Sequence, residues 1–334
     1  MRAIVIDKPR SIASADVPEP ELVDGEVIVR VDAAGICAGD LYIYQGKNPY
    51  AIYPVIGGHE IAGTVADAGD SEWSVGDRVV IEPFIGCGEC YPCRAGKSNC
   101  CANLRIIGVH CPGGYGDLVS APAGRLHAIP EGLSAAHASL AEPVAIALQA
   151  CRRANVSAGE YALVLGCGPI GLALIEVARA RGARVVAVDV QADRLAVAEQ
   201  LGAETFPAGP SLRDAVLAQT CGEGAPVVLE ATGNPQVIEN CVELVASGGR
   251  IAILGLVRQG VGVTFPGLDI TRKEMTILGS RASTDCFPEA LQMLAAGHIH
   301  YAQFATELSL NDAPAIFAEL DRNPAHLQKG IFVL

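Results

Sequence analysis

The stretch YALVLGCGPIG, residues 161–171, decides the fold. Tyr161–Leu165 is a short, uninterrupted apolar run of the kind that fills a strand covered on both faces. Gly166, Gly168 and Gly171 follow as G-x-G-x-x-G, with Pro169 and Ile170 between the last two, and GLALIEVARA continues with the periodicity of a helix. The glycines have separate roles. The first permits a tight turn, the second lets backbone approach a pyrophosphate, and the third lets helix and strand pack closely. The start of the helix attracts the phosphates. An ordinary tight strand-to-helix turn uses the same glycines, so the context matters. RVVAVDV ends the next strand with Asp189 about twenty residues on, where an acid accepts hydrogen bonds from an adenosine ribose and repels a 2′-phosphate. This predicts NAD rather than NADP. The competing role for Asp189 is to cap the helix of QADRLAVAEQ, and Arg194 in that helix either stacks on adenine or lies solvated on the helix face.

Outward from this stretch the strand-and-helix alternation continues through SLRDAVLAQTCG, PVVLEATG, NPQVIENCVELVASGG, RIAILGL and MTILGS. Continuous apolar strands between amphipathic helices predict a doubly wound α/β domain with a parallel sheet, assigned to residues 146–286. Gly255 and Leu256, with Ser280 and Arg281, are expected among its cofactor contacts. Upstream, AIVI, EVIVRVDAAG, EIAGTVADAG and DRVVIEPF alternate with Gly and Pro turns and no long helical pattern, which predicts a β-rich domain over residues 1–145. Residues 287–334, holding the helical FPEALQMLAAGHI and the strand-like KGIFVL, are expected to return to that first domain. Substrate is expected between the two domains, at the carboxyl ends of the sheet strands.

Composition narrows the classes. The 334 residues are 50% hydrophobic but only 5% aromatic and include 37 glycines, which suits many short turns and tight helix-on-sheet packing. A net charge of −13 without any Lys/Arg run argues against nucleic acid and against anionic membrane surfaces as partners. The N-terminal apolar run is only Ala3–Ile6, short of the roughly 7–15 residues of a secretory core, and no stretch reaches the roughly 18 of a membrane span. A soluble cytoplasmic protein is therefore expected.

GCGECYPCRAGKSNCC, residues 86–101, holds Cys87, Cys90, Cys93 and Cys101 at C-x2-C-x2-C-x7-C. Four thiolates on one short loop, residues 85–102, suit a closed, structural tetrahedral Zn²⁺ in a reducing compartment. Cys100 stands beside Cys101 as an alternative fourth ligand, and an iron–sulfur cluster is the competing use of four cysteines.

GGHEIAGTVADAG (57–69) followed by GDRVV, together with the four-cysteine loop and GCGPIG, resembles the zinc-dependent medium-chain alcohol dehydrogenases along the whole chain. The resemblance implies a β-rich GroES-like catalytic domain beside a Rossmann cofactor domain, and a homodimer or homotetramer. It implies a catalytic zinc held by Cys37 of GICAGD, His59 of GHE and Glu142 of LAEPVAIALQA, with Glu60 moving on and off the metal and Asp40 orienting His59. Three protein ligands leave one position open for water or substrate; the metal serves as Lewis acid and the nicotinamide takes the hydride. Glu-Pro at 142–143 is similar to the sorbitol, threonine and sugar-acid branches, so a polyhydroxy substrate is implied. KSNCCANLRIIGVH, GGYGDLVS and GSRASTDCFPEAL look most like enzymes that oxidise aldonic acids such as L-galactonate or L-gulonate at C5. Arg281 is then a candidate for a substrate carboxylate, by its two-pronged donor, or for the cofactor.

One departure stands out. Relatives carry Ser or Thr two residues after the ligand cysteine and His five after it, as a proton relay; here those positions are Gly39 and Tyr42. Tyr42, Tyr44, Glu60 or metal-bound water is expected to take over. The departure also keeps open an NAD(H)-sensing, zinc-stabilised regulatory protein, and a sorbitol-like polyol or threonine dehydrogenase is the enzymatic alternative.

Overall fold

The computed structural model describes residues 1–334. The polypeptide forms two compact units: Met1–Glu142 with Thr284–Gly297 and Ala302–Leu334, and Pro143–Ser283 with His298–Tyr301.

The second unit is built on a six-stranded parallel sheet in the order Glu204–Pro207, Arg184–Asp189, Tyr161–Leu165, Ala225–Glu230, Val245–Ile253, Thr276–Gly279. Helices Pro169–Ala180, Ala192–Gln200, Leu212–Gln219, Pro235–Leu244 and Gly267–Lys273 connect the strands, since parallel neighbours need long crossovers. The strand order reverses beside Tyr161–Leu165, every residue of which is buried, and that is the Rossmann arrangement. Its core joins Leu163, Leu165, Val186, Val228 and Ile251. The short strand Glu204–Pro207 and the helix Gly267–Lys273 have weak apolar patterns, which leaves them without a sequence signal of their own.

The first unit carries a mostly antiparallel sheet in which Glu26–Gly35 pairs with Glu60–Asp67, Leu118–Pro122 and the C-terminal Lys329–Val333. Its core includes Ile6, Val29, Ile81, Tyr115, Phe317 and Phe332. Residues before 145 are less purely β than their pattern predicts: Ala38–Tyr44 and Ala135–Ser139 are short helices, and Ala141–Arg153 is a full one. Pro143 sits in the first turn of the last, where its missing N–H would have no partner in any case. Phe287–Ala295 and Lys329–Val333 both belong to this first unit. No helix is long and apolar enough to cross a membrane.

Candidate active site

In the first unit, strand Glu26–Gly35 delivers Cys37 to the start of helix Ala38–Tyr44, where its Sγ accepts the Gly39 N–H at 3.4 Å and Asp40 accepts the Cys37 N–H at 2.9 Å. This reciprocal cap fixes the thiol and the acid together. His59 and Glu60 enter from the adjoining strand, whose Glu60 pairs with Gly35 in register. The donor atoms of Cys37, His59 and Glu60 all lie within 4.8 Å of one another.

Asp40 is wholly buried and accepts the Gly58 N–H at 3.1 Å, while its Oδ1 stands 3.5 Å from His59 Nδ1. Burial alone would raise the Asp40 carboxyl, but the His59 charge and the Cys37 and Gly58 N–H groups hold it below its ordinary pKa. Burial likewise works against a charged His59, yet Asp40 and Cys37 raise its pKa well above the usual value. Glu142, 2% exposed, lies outside the three-donor cluster but near it. Burial pushes its carboxyl up to about 7, His59 opposing and Glu60 adding to the rise.

Sequence reasoning missed Lys329. This lysine, 3% exposed, reaches from the C-terminal strand, donates to the Ile36 carbonyl at 3.0 Å and sits 2.5 Å from the Glu60 carboxylate. Burial disfavours its charge, while Glu60 and Cys37 restore it above the ordinary value. Gly35 is one more residue of a strand by pattern, but an added Cβ there would stand 1.9 Å from Glu60 Oε2, so the glycine makes the room the carboxylate occupies.

The donor set fits a divalent cation. A thiol, an imidazole and carboxylates converge in a buried space, His59 is drawn toward its cationic form and Glu142 toward its neutral one. The His59 shift reports the negative charge of Asp40 and Cys37 beside it and the Glu142 shift mainly its burial, and a metal ion would offset both.

Tyr42 is 44% exposed on the short helix, whereas Tyr44 is 6% exposed and packs its ring 5.6 Å from Phe317. Tyr44 is thus part of the core of the first unit. A Cβ on Gly39 would lie 3.6 Å from the His59 ring and 3.7 Å from Cys37 Sγ, ordinary distances, so the position has room for a side chain it does not carry.

The four cysteines also come together, with Cys87, Cys90, Cys93 and Cys101 donors within 4.8 Å of one another. Cys90 Sγ is 3.5 Å from Cys93 Sγ and 3.7 Å from Cys101 Sγ. A tetrahedron with Zn–S near 2.3 Å has edges of about 3.8 Å, so the cage matches zinc. Backbone N–H groups of Cys87 and Asn103 point at Cys101 Sγ, and those of Cys93 and Ala102 bring the Cys90 thiol down to about 6. Cys101 is buried inside the cluster and Cys100 is exposed outside it.

In the second unit Gly166 adopts φ +97°, and a Cβ on Gly171 would stand 1.8 Å from the Gly166 carbonyl. A Cβ on Gly168 would meet nothing within 4 Å, and the helix beginning at Pro169 has no side-chain cap. A phosphate fits that bare helix start. Asp189, 7% exposed, accepts N–H groups of Cys167 at 2.7 Å and Gln191 at 2.9 Å, and Arg194 lies 3.9 Å away. Asp189 therefore shapes the glycine turn and the next helix start, beside any role toward a ribose. Gly255 packs so closely on Gly233 that a Cβ would sit 1.9 Å from its nitrogen. Leu256 is 82% exposed, Ser280 donates its N–H to Ile253 at 2.8 Å, and Arg281 is exposed after the edge strand.

Together a Rossmann sheet with a phosphate-ready glycine turn and a thiol–imidazole–carboxylate cluster define a dinucleotide- and metal-dependent oxidoreductase. Residues 23–131 match the alcohol dehydrogenase GroES-like domain and residues 169–296 match the zinc-binding dehydrogenase domain. The chain belongs to the zinc-dependent medium-chain alcohol dehydrogenase family. It is 37% identical to a zinc-type alcohol dehydrogenase-like protein of Haemophilus influenzae, covering 98% of this chain and 97% of the relative. It is 34% identical to L-galactonate-5-dehydrogenase of Escherichia coli K12, covering 90% and 88%. The crystal structure of the RspB alcohol dehydrogenase from E. coli CFT073, complexed with NADH, superposes with a TM-score of 0.93 at 29% identity over 100% of this chain and 99% of that one.

Proposed function

We propose that the protein oxidises a secondary alcohol of a sugar acid or related polyol to a ketone, with NAD⁺ as acceptor. The observation that carries this reading is the convergence of Cys37, His59 and Glu60 donors within 4.8 Å around a buried, acid-rich point. Cys37 and His59 hold the zinc, Asp40 orients His59, and a carboxylate completes the set. Lys329 already neutralises Glu60, which favours Glu142 as the third donor. When bound, zinc supplies a Lewis acid for the substrate oxygen and NAD⁺ a hydride acceptor. With no hydroxyl on Gly39 and Tyr44 in the core, Tyr42 and Glu60 are the side chains left to receive the alcohol proton.

The similarity to L-galactonate-5-dehydrogenase supports an aldonic acid as substrate class, and Asp189 supports NAD over NADP. Steady-state NAD⁺ reduction across aldonic acids, sorbitol-like polyols, threonine and simple alcohols tests this. The highest kcat/KM is expected with an aldonic acid; a clear preference for threonine or a simple alcohol would overturn the substrate assignment.

The cysteine loop is proposed as a separate structural zinc site. Cys101→Ser is expected to lower the zinc content by one ion per chain, and Cys100→Ser to leave it unchanged, as read by elemental analysis of the purified protein. Loss of zinc from Cys100→Ser but not from Cys101→Ser would remove Cys101 as the fourth ligand.

A further inference from the structure

Tyr115, in the GGYG segment, is fully buried. Its ring meets Phe332 edge-on at 5.3 Å and Phe317 at 6.0 Å. It also underlies the backbone that leads into His59, since a methyl group on Gly58 would come within 2.6 Å of the ring. A phenylalanine would make every one of these contacts. The hydroxyl needs its own account, because a buried hydroxyl is costly unless bonded.

That hydroxyl lies 3.0 Å from Asp40 Oδ2 and 3.2 Å from the Gly35 carbonyl. Its single hydrogen favours the carboxylate, the stronger acceptor. Burial, then the Asp40 charge, hold the phenol well above its ordinary pKa, so it stays a donor. Asp40 is thereby surrounded: Oδ2 accepts the Cys37 N–H and the Tyr115 hydroxyl, and Oδ1 accepts the Gly58 N–H and faces His59 Nδ1.

We propose that Tyr115 is a positioning residue of the active site, its hydroxyl locking the Asp40 carboxylate so that His59 and the turn carrying Cys37 keep one geometry. The proposal rests on the reading of Cys37 and His59 as zinc ligands. The carboxylate torsion of an aspartate is broad, so its orientation must come from donors around it. Removing the hydroxyl leaves Oδ2 with the Cys37 N–H alone and Oδ1 with the Gly58 N–H, so the carboxylate is held by two donors instead of three and its orientation loosens. Partners that orient a metal-bound histidine directly are worth roughly 10- to 100-fold in metal affinity or activity, and Tyr115 acts one step further out.

Tyr115→Phe tests this with the ring contacts kept. Transfer of zinc to a chelator, followed with a colorimetric indicator, is expected to be about 3- to 10-fold faster from the Cys37–His59 site, with kcat reduced by a similar factor. The KM for NAD⁺ is expected to stay unchanged, because the glycine turn is untouched. In an Asp40→Asn background the same substitution is expected to add nothing, because its effect runs through Asp40. Wild-type zinc release and kcat in Tyr115→Phe, or an equal loss in the Asp40→Asn background, would overturn the proposal. If instead the wild-type protein keeps full activity with zinc only on its four cysteines, the zinc reading fails and this proposal with it, a result distinct from the other two.

Discussion

Cys37→Ala is expected to lower kcat/KM for NAD⁺-linked alcohol oxidation by about 10³-fold or more, because a Lewis acid contributes several kcal/mol to stabilising charge on the reacting oxygen. The substitution removes the only sulfur donor from the three-residue cluster. It also removes a helix cap, since Cys37 Sγ accepts the Gly39 N–H, and loss of a cap typically costs about 1 kcal/mol. Cys37→Ser separates the two effects: the hydroxyl restores the cap but is a poor zinc donor, so stability is expected to recover while activity does not. NADH binding, measured by fluorescence, should be intact in both variants, because the glycine turn and Asp189 lie in the other unit. Retention of full NAD⁺-linked oxidation by Cys37→Ala would sink the metal role.

What the amino-acid sequence discloses of this site follows from distance along the chain. The glycine turn is legible because its three roles fall within a few residues, and the φ of +97° at Gly166 and the forbidden Cβ at Gly171 are local consequences of that spacing. The cysteine cage is legible for the same reason, but Cys100 and Cys101 look alike in the sequence, since neighbouring residues differ in direction rather than in composition. Cys37 and His59 are legible through motifs, but their meeting depends on the pairing of two strands. Lys329 carries no signal at all: its partner Glu60 is 269 residues away, and a lysine before an apolar C-terminal strand reads as a solvated flank. Tyr115 hides for another reason. Its aromatic ring accounts for its place in the core, and only the direction of one oxygen reveals the link to Asp40. Tyr44 shows the converse: its hydroxyl suggests a polar role in the sequence, while its helix face turns the ring into the core against Phe317.

Lys329→Met is expected to destabilise the first unit by about 3–5 kcal/mol, the usual cost of removing one partner from a buried ion pair. Lys329 and Glu60 are both nearly inaccessible, at 3% and 1%, and two further acids, Asp40 and Glu142, lie in the same buried region. Without the ammonium group, Glu60 must stay charged among like charges, take up a proton or shift toward a bound metal ion; each departs from the arrangement in which Lys329 Nζ also ties down the Ile36 carbonyl beside Cys37. Thermal unfolding of the zinc-free protein, which excludes rescue by the metal, is the direct measurement. A second variant identifies the cause. If the loss arises from an uncompensated carboxylate, adding Glu60→Gln to Lys329→Met should recover most of it, because a buried pair as a whole is worth far less than either half left alone. If the loss arises from missing packing of the lysine stem, the double variant should be no more stable than the single one. Wild-type stability in Lys329→Met would show that the 2.5 Å contact carries no weight in holding Glu60.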